Sequence, residues 1–596
     1  MGKVSLKSRD DRIFRSAFQQ HGNSVSSSSS SSETNSTENS DAAPSSSCCE
    51  HVTMATNTSS KYDIPCKVLI PPGSPAVYQL IPKKENIGNV EGITLKRVTL
   101  GEKDPNKSNK TILLVGETGT GKSTLINALV NYAMGVERED EVWFQIVEDE
   151  EKKNQSETQT SDVIVYEIFG FEGKTLPYSL TIIDTPGYGD TRGIGEDATV
   201  DQRLFQLFRL NDGVHEINAV GLVLKATENR LSDRLRYIFN SVMSLFGKDM
   251  EKNIVALVTH SYGLTPENVL QALEDANIKC AKDEEDEPLH FMFNNCQSTQ
   301  KTKKNKVALK GAWDLTKDQM GQFTDYLKET SPQNLRTTVE VLDTRTRLAA
   351  CIQNLQERIE LTEKKQTEIK QTQEALKKHE QEMKSNEKFT VEVDEPYKVK
   401  VPVSEGRWWA LWLNHGGAVT CNVCQENCHY PCTLAWYTEH CEVMKGGRCT
   451  VCTGKCPASV HVKEKLIYVT KTRKVQKTLQ NVKEKYEKNE AGSKSKLSLL
   501  ETLEKEMEEL QKEKDQLLAE SFQHVIKLEE IALNVDSLST HDHVDFLIEK
   551  MKEKEDTEKV QKLEEMKGRM EKDKGIKAAL SYRFGKIKAA SCHISL

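Results

Sequence analysis

The stretch Gly116–Ser123, reading G-E-T-G-T-G-K-S, constrains the fold of this 596-residue chain more than any other. It follows the apolar run T-I-L-L-V (Thr111–Val115), a short buried-strand pattern, and opens into S-T-L-I-N-A-L-V-N-Y-A-M, which has helical spacing. Strand, glycine-rich loop and helix in that order are the context a phosphate-binding loop needs. Glycines let the backbone curl until successive N–H groups point inward, and the following helix adds its positive N-terminal end. Gly116, Glu117, Thr118, Gly119, Thr120, Gly121 and Thr124 are therefore candidate nucleotide-binding residues. Lys122 is placed to reach the β- and γ-phosphates, and Ser123 to offer its hydroxyl to Mg²⁺.

From Lys110 to about Glu329, strand-like runs alternate with helical patterns. Strands are expected at Thr111–Val115, Ser179–Asp184, Ala219–Lys225, Asn253–Thr259 and Leu289–Phe293, and helices at Lys122–Met134, Ser232–Leu245 and Pro266–Lys279. Continuous apolar strands alternating with helices predict an α/β fold, a mostly parallel sheet with helices on both faces. Its ligand belongs at the carboxyl ends of the strands, where the glycine loop already sits. One of those strands ends in D-T-P-G-Y-G-D (Asp184–Asp190). Asp184 is then placed to hold Mg²⁺ opposite Ser123, and the Gly187 N–H to touch the γ-phosphate, so that the following segment senses the nucleotide state.

G-E-T-G-T-G-K-S-T-L-I-N and D-T-P-G-Y-G-D together resemble septins and the immunity-associated GTPases of the avirulence-induced type, over about Lys110–Leu327. The resemblance implies a P-loop G domain that binds GTP with Mg²⁺ and assembles into a homo-oligomer. It also implies a switch threonine that completes the Mg²⁺ shell. S-E-T-Q-T (Ser156–Thr160) is similar to the immunity-associated switch, which selects Thr158, with Thr160 second. The chain departs from the family pattern twice. After the strand Asn253–Thr259 it reads T-H-S-Y, so Tyr262 stands where the family's guanine-reading Asp is expected. His260 is left to cover the base, with Asn294-Asn295 near it. Tyr188 follows D-T-P-G where Ras-type enzymes carry a water-orienting Gln, which implies slow hydrolysis accelerated by a partner or a second G domain. No catalytic residue is assigned. A nucleotide-dependent scaffold without turnover and a P-loop ATPase are the competing classes.

The second concentrated signal is cysteine. Of 15 cysteines, eight fall between Cys421 and Cys456, in C-N-V-C-Q-E-N-C-H-Y-P-C, His440-Cys441 and C-T-V-C-T-G-K-C. Two C-x2-C pairs, each with a further Cys, are close to metal-knuckle spacing. Cys421, Cys424, Cys428, Cys432, Cys441, Cys449, Cys452 and Cys456, with His429, His440 and His461 available, can fill two four-coordinate Zn²⁺ sites. A closed, ligand-saturated site makes such zinc structural. Trp408, Trp409, Trp412 and Trp436 are expected to pack this small core.

The rest of the chain is polar, with 29% charged residues. Seven divisions follow: a disordered Ser-rich tail (1–60), a lead-in segment (61–110), the septin-like G domain (110–330), a coiled coil (331–386), the Cys-rich module (387–471), a second coiled coil (472–535) and a helical C-terminal segment (536–596). Leu348, Ile352, Leu355, Ile359, Ile369 and Leu376 set the first seam, and Leu500, Leu503, Met507, Leu510 and Leu517 the second. Short β runs at Thr390–Val393, Tyr397–Val403 and Leu466–Thr470 frame the cysteines, which places the module at the tip of an antiparallel stalk. Assembly is therefore expected through both G domain and coiled coil. A net charge of −8 gives no reason to expect nucleic-acid binding. No run is apolar enough to span a membrane, and the first residues lack a signal-peptide pattern, so a cytoplasmic location is expected. Met1-Gly2 is followed by Leu6 where a myristoylation site needs a hydroxyl, and Cys592 misses the prenylation pattern. Lys574–Lys588 is basic with apolar residues interleaved, a composition open to peripheral membrane contact. His541-Asp542-His543 reads as a helix start capped by Thr540 or Asp542 rather than as a metal site.

Overall fold

The apolar runs expected as strands do form one sheet, and it has more members than the pattern announced. A computed structural model describes residues 62, 64, 66–70, 75–90, 93–148, 163–185, 194–228, 230–378, 390–403, 417–432, 435, 437–478, 499–535 and 537–572. Its central sheet is built from β1 (Lys83–Val90), β2 (Ile93–Leu100), β3 (Asn109–Val115), β4 (Val163–Ile168), β5 (Ser179–Asp184), β6 (Ala219–Lys225), β7 (Ile254–Thr259) and β8 (His290–Met292). Their order is β8-β7-β6-β3-β5-β4-β2-β1. Neighbours are parallel from β8 across to β5, whereas β4 and β1 run against β5 and β2 respectively.

Strand pleating sends alternate side chains to two cores. On one side Val220, Leu222 and Leu224 pack with helices α2 (Ile194–Arg209), α3 (Asp233–Met243) and α4 (Glu267–Asp275) through Leu204, Phe239 and Leu273. On the other, Ile112, Leu114 and Val223 meet α1 (Lys122–Met134) and α5 (Lys306–Glu329) through Leu125, Leu129 and Phe323. Ser232 caps α3, accepting from the Leu235 N–H at 3.0 Å. The lead-in segment joins the sheet itself, not as a neighbour of β3. It supplies β1 and β2 at the far edge, joined to β4, and its Ala76–Leu80 strand pairs with Val142–Gln145 to cover the α1 side.

After β8 and α5 the chain forms α6 (Arg336–Lys378), a 43-residue helix, and later α7 (Leu499–Ile531). The two run antiparallel, as the ion pairs Lys365–Glu506 (3.1 Å), Arg358–Glu513 (3.2 Å) and Glu340–Lys527 (3.5 Å) show. Leu348, Ile352 and Leu355 of the expected seam pack with Leu517, and also with α8 (Leu538–Lys552) and α9 (Thr557–Lys572) through Val544, Leu547 and Leu563. The root of this hairpin is not a free stalk. Leu335, Leu342 and Leu533 enter the core of the sheet domain, and the Leu533 N–H donates to the Phe246 carbonyl at 2.8 Å. Helix α8 starts under Ser537, not Thr540 or Asp542: the Ser537 hydroxyl accepts from the Thr540 N–H.

The module between these helices is also placed differently from the expectation. The frame strands are one ribbon, β9 (Thr390–Pro402) paired antiparallel with β13 (Leu466–Thr478), and the ribbon folds back along α6. Thirteen residues of ribbon span about 43 Å at roughly 3.3 Å each. Helix α6 covers about 40 Å between Cys351 and Lys378 at roughly 1.5 Å per residue. The ribbon therefore returns the cysteines beside Cys351, near the sheet domain, rather than holding them at the tip. There β10 (Gly417–Cys421), β11 (Glu426–Cys432) and β12 (His461–Glu464) form a three-stranded sheet in the order β11-β10-β12. The Cys-rich core includes Ala350 and Cys351 of α6. The Ser-rich tail, the four module tryptophans, Lys574–Lys588 and Cys592 lie outside the described residues. No described helix is long and apolar enough to cross a membrane.

Candidate functional site

At the carboxyl ends of β3, β5 and β7 a cleft of about 400 Å³ opens, lined by Thr118, Gly119, Gly121, Lys122, Ser123, Thr124, Asp184, Thr259 and His260 among others. Its floor is the glycine loop. Gly116 is forced by packing, since a Cβ there would lie 2.6 Å from the Val223 carbonyl oxygen. Gly121 takes φ +93°, which L side chains rarely adopt, and then starts α1 with no side-chain cap. The first-turn amides of that helix consequently face the cleft unclaimed by any cap, with no acidic residue in the turn to repel an anion.

Lys122 is buried and donates to the carbonyls of Gly116 (2.7 Å) and Glu117 (3.2 Å), folding its amine over the loop. Burial pushes its pKa below the ordinary lysine value, while Asp184 and Glu117 pull it back up. Ser123 and Thr124 stand exposed in the cleft, and Thr120 turns inward to donate to the Glu117 carbonyl at 2.8 Å. The Thr259 hydroxyl donates to the Thr120 carbonyl at 2.6 Å, tying the loop to the end of β7.

Asp184 closes the opposite side. Burial raises its carboxyl to about 6, with Lys122 opposing, and its Oδ1 has no hydrogen-bond partner. A buried, unpartnered carboxylate oxygen in the same cleft as the Ser123 hydroxyl fits a hard divalent cation, which takes oxygen ligands. Thr158, Thr160, Gly187 and Tyr188 lie outside the described residues.

The other end of the cleft is lined by His260 and Asn294-Asn295. His260 sits in the left-handed region (φ 55°), and burial, then Lys225, lowers its pKa. Asn294 is held by its N–H to Thr316 Oγ1 at 3.0 Å. Asn295 presents a buried side-chain amide whose donor and acceptor atoms are both unpartnered. A group that both donates and accepts can read a base edge; the sequence placed this pair near the base only through the family resemblance. Tyr262 is 87% exposed and does not line the cleft.

The cysteines come together elsewhere, and in three groups rather than two. Cys421, Cys424, Cys452 and Cys456 form one; Cys428, Cys449, Cys452 and His461 a second; His429, Cys432, Cys441 and Glu442 a third. Cys452 belongs to two of them. His440, offered by the sequence as a ligand, belongs to none and instead stacks edge-on against Tyr437. Glu442, which the sequence did not single out because acids are infrequent beside so many thiols, joins the third group; its position next to Cys441 was the available signal. Backbone N–H groups donate to the sulfurs of Cys421, Cys424, Cys449 and Cys452 at 3.3 Å. Such donors stabilise thiolate, the form that binds metal. The Cys424–Cys456 and Cys432–Cys441 sulfurs lie 3.6 and 3.8 Å apart, too far for disulfides. Around a tetrahedral Zn²⁺ with Zn–S of about 2.3 Å, sulfurs sit roughly 3.8 Å apart. The residues fit zinc.

Residues 106–196 match the septin family model. No curated protein matches the chain. Among solved structures, Toc33 from Arabidopsis thaliana in complex with Mg²⁺ and GMPPNP is 18% identical, covering 38% of this chain and 88% of its own, with a TM-score of 0.27. A dimerization-deficient mutant of Toc33 is 17% identical with the same coverage and TM-score. Elongation factor SelB from Methanococcus maripaludis is 11% identical, covering 38% of this chain and 36% of its own, at TM-score 0.22. Scores this low carry no weight. The phosphate loop, the sheet topology and the family match together identify a septin-like P-loop G domain.

Proposed function

We propose that this chain, built on a septin-like G domain, is a Mg²⁺-dependent GTP-binding switch with slow hydrolysis that assembly of G domains accelerates. The observation that carries the reading is the convergence of Lys122, Ser123 and Asp184 on one cleft whose far end presents the unpartnered Asn295 amide. Lys122 and the first-turn amides of α1 bind and orient the β- and γ-phosphates. Ser123, Asp184 and Thr158 are the residues to hold Mg²⁺, which spreads the negative charge of the phosphates when bound. The Gly187 amide is the group to contact the γ-phosphate, which lets the segment after it sense the nucleotide state. His260 covers the base and Asn295 reads its edge.

Slow turnover follows from Tyr188, which cannot orient water as a Gln does. Tyr262 and Leu264, 87% and 79% exposed next to the base-covering His260, are apolar surface suited to burial against a second G domain. Zn²⁺ is proposed as the structural ion of the Cys-rich module, in a cytoplasmic, reducing setting. A nucleotide-dependent scaffold is favoured over the switch only by Tyr188. An ATPase is favoured only by Tyr262, which removes the bidentate guanine acceptor. A competition titration decides between nucleotides. GTP is expected to be preferred over ATP by well under a thousandfold, about 4 kcal/mol, and a preference for ATP overturns the GTP reading.

A further inference from the structure

We infer that the Cys-rich module holds three metal ions, two of them bridged by the Cys452 thiolate and the third bound by His429, Cys432, Cys441 and Glu442. The inference rests on the proposal that this module binds zinc and specifies how many ions it takes and through which atoms. Three four-coordinate ions need twelve ligand positions, and the eleven residues of the three groups supply them once Cys452 is shared. Two ions would leave three or more of these ligands, all but Cys424 and His429 buried, without a role.

Each group has its own geometric support. In the first, Cys421 ends β10 and Cys424 lies in the turn before β11, while Cys452 and Cys456 come from the turn Cys449–Cys456, so two knuckles face each other across 3.6 Å between the Cys424 and Cys456 sulfurs. In the second, His461 Nδ1 lies 2.8 Å from the Pro457 carbonyl, which fixes the proton there. Its Nε2 is then the lone-pair nitrogen, and it is buried with no hydrogen-bond partner. That arrangement is the outer-shell hydrogen bond a metal-bound imidazole makes.

In the third, His429 Nδ1 lies 3.1 Å from the Cys441 sulfur and 3.2 Å from Glu442 Oε2, and the Cys432 and Cys441 sulfurs are 3.8 Å apart. A tetrahedron with radii of about 2.0–2.3 Å has edges of roughly 3.3–3.8 Å, so these distances sit at or just under it. Glu442 Oε2 faces His429 Nδ1 and accepts no hydrogen bond from outside the group, whereas Oε1 accepts from Arg209 at 3.2 Å. One oxygen therefore points into the group while the other is anchored. Arg209 is the last residue of α2, the helix that follows the D-T-P-G-Y-G-D segment. The third ion accordingly sits where the module meets the nucleotide domain, and Arg209 positions its carboxylate ligand.

The test is metal analysis of the full chain purified under reducing conditions, with ¹¹³Cd²⁺ substitution as an independent measurement on unmodified protein. Three zinc ions per chain are expected, and three ¹¹³Cd resonances, two of which share a scalar coupling through the Cys452 sulfur. Cys441→Ser is expected to remove one ion and leave the coupled pair. Arg209→Ala is expected to weaken only the third site, by about 10–100-fold. Two ions in the unmodified chain, or three resonances without coupling, overturn the inference while leaving the zinc reading standing. A folded chain with no bound metal overturns both.

Discussion

Asp184 shows how a single side chain sets conditions for the whole cleft. Its carboxylate is buried, and burial outweighs the attraction of Lys122, so the folded-state value of about 6 lies above the ordinary 3.8. Between those values the folded protein keeps a proton that the unfolded chain has released. Stability from this group therefore falls as pH rises from about 4 to 6, and the penalty is complete above 6, at most roughly 3 kcal/mol. Asp184→Asn is expected to raise the melting temperature of the nucleotide-free protein at pH 7.5, with the gain vanishing toward pH 4. The same variant should lose the Mg²⁺-dependent part of nucleotide affinity. Calorimetry at the two pH values checks the first effect; a variant less stable than the parent at pH 7.5 contradicts the account. Below about pH 6, protons compete with Mg²⁺ for Asp184 in the parent, so Mg²⁺ dependence should weaken as pH falls.

Among the elements, the contact of α6 with β11 has the clearest energetic stake. Glu426 is buried, and accepts from Arg358, from the Thr453 N–H at 2.9 Å and from the Thr453 hydroxyl at 2.7 Å. Arg358→Ala leaves that buried carboxylate without its ion-pair partner and should cost about 3–5 kcal/mol, whereas Glu426→Gln keeps two acceptor contacts and should cost less. Denaturant unfolding of the two variants tests this, and equal losses would mean the ion pair does not fix the module to α6. The strand–loop–helix of β3, the glycine loop and α1 was legible because three local signals agree there: apolar run, glycine spacing and helical period. The strands β1 and β2 were not legible, because their polar alternation toward the sheet edge looks like loop until a partner is present; β4 carries an apolar run, V-I-V-Y-E-I, that is not among the expected strands, and α2 hides behind the polar I-G-E-D-A-T-V-D-Q. Of the Cys-rich groups, all eight cysteines were readable from spacing. That Cys452 belongs to two groups and Glu442 to one depends on the folding-back of the ribbon and on Arg209, which are tertiary facts. Lys122, Ser123, Asp184 and His260 were located from sequence; the unpartnered Asn295 amide needed coordinates.

For the molecule as a whole, the sheet domain, the helical hairpin and the Cys-rich module share contacts at the root of α6. Arg347 Nε donates to the Glu442 carbonyl at 2.9 Å, Arg345 Nε to the Ser244 carbonyl at 3.1 Å, and Arg209 reaches Glu442. If assembly of G domains drives hydrolysis, the rate constant per chain measured on limiting GTP should rise with protein concentration and flatten once the protein is fully assembled. A rate independent of concentration removes the role assigned to a second G domain. The central claim, that Gly116–Ser123 and Asp184 form a nucleotide site, is tested most directly by titrating a fluorescent GTP analogue into the full chain and into Lys122→Ala with Mg²⁺ present. Binding to the parent and a loss of at least about a hundredfold in the variant, roughly 3 kcal/mol, is the expected result; equal affinity in both would contradict it.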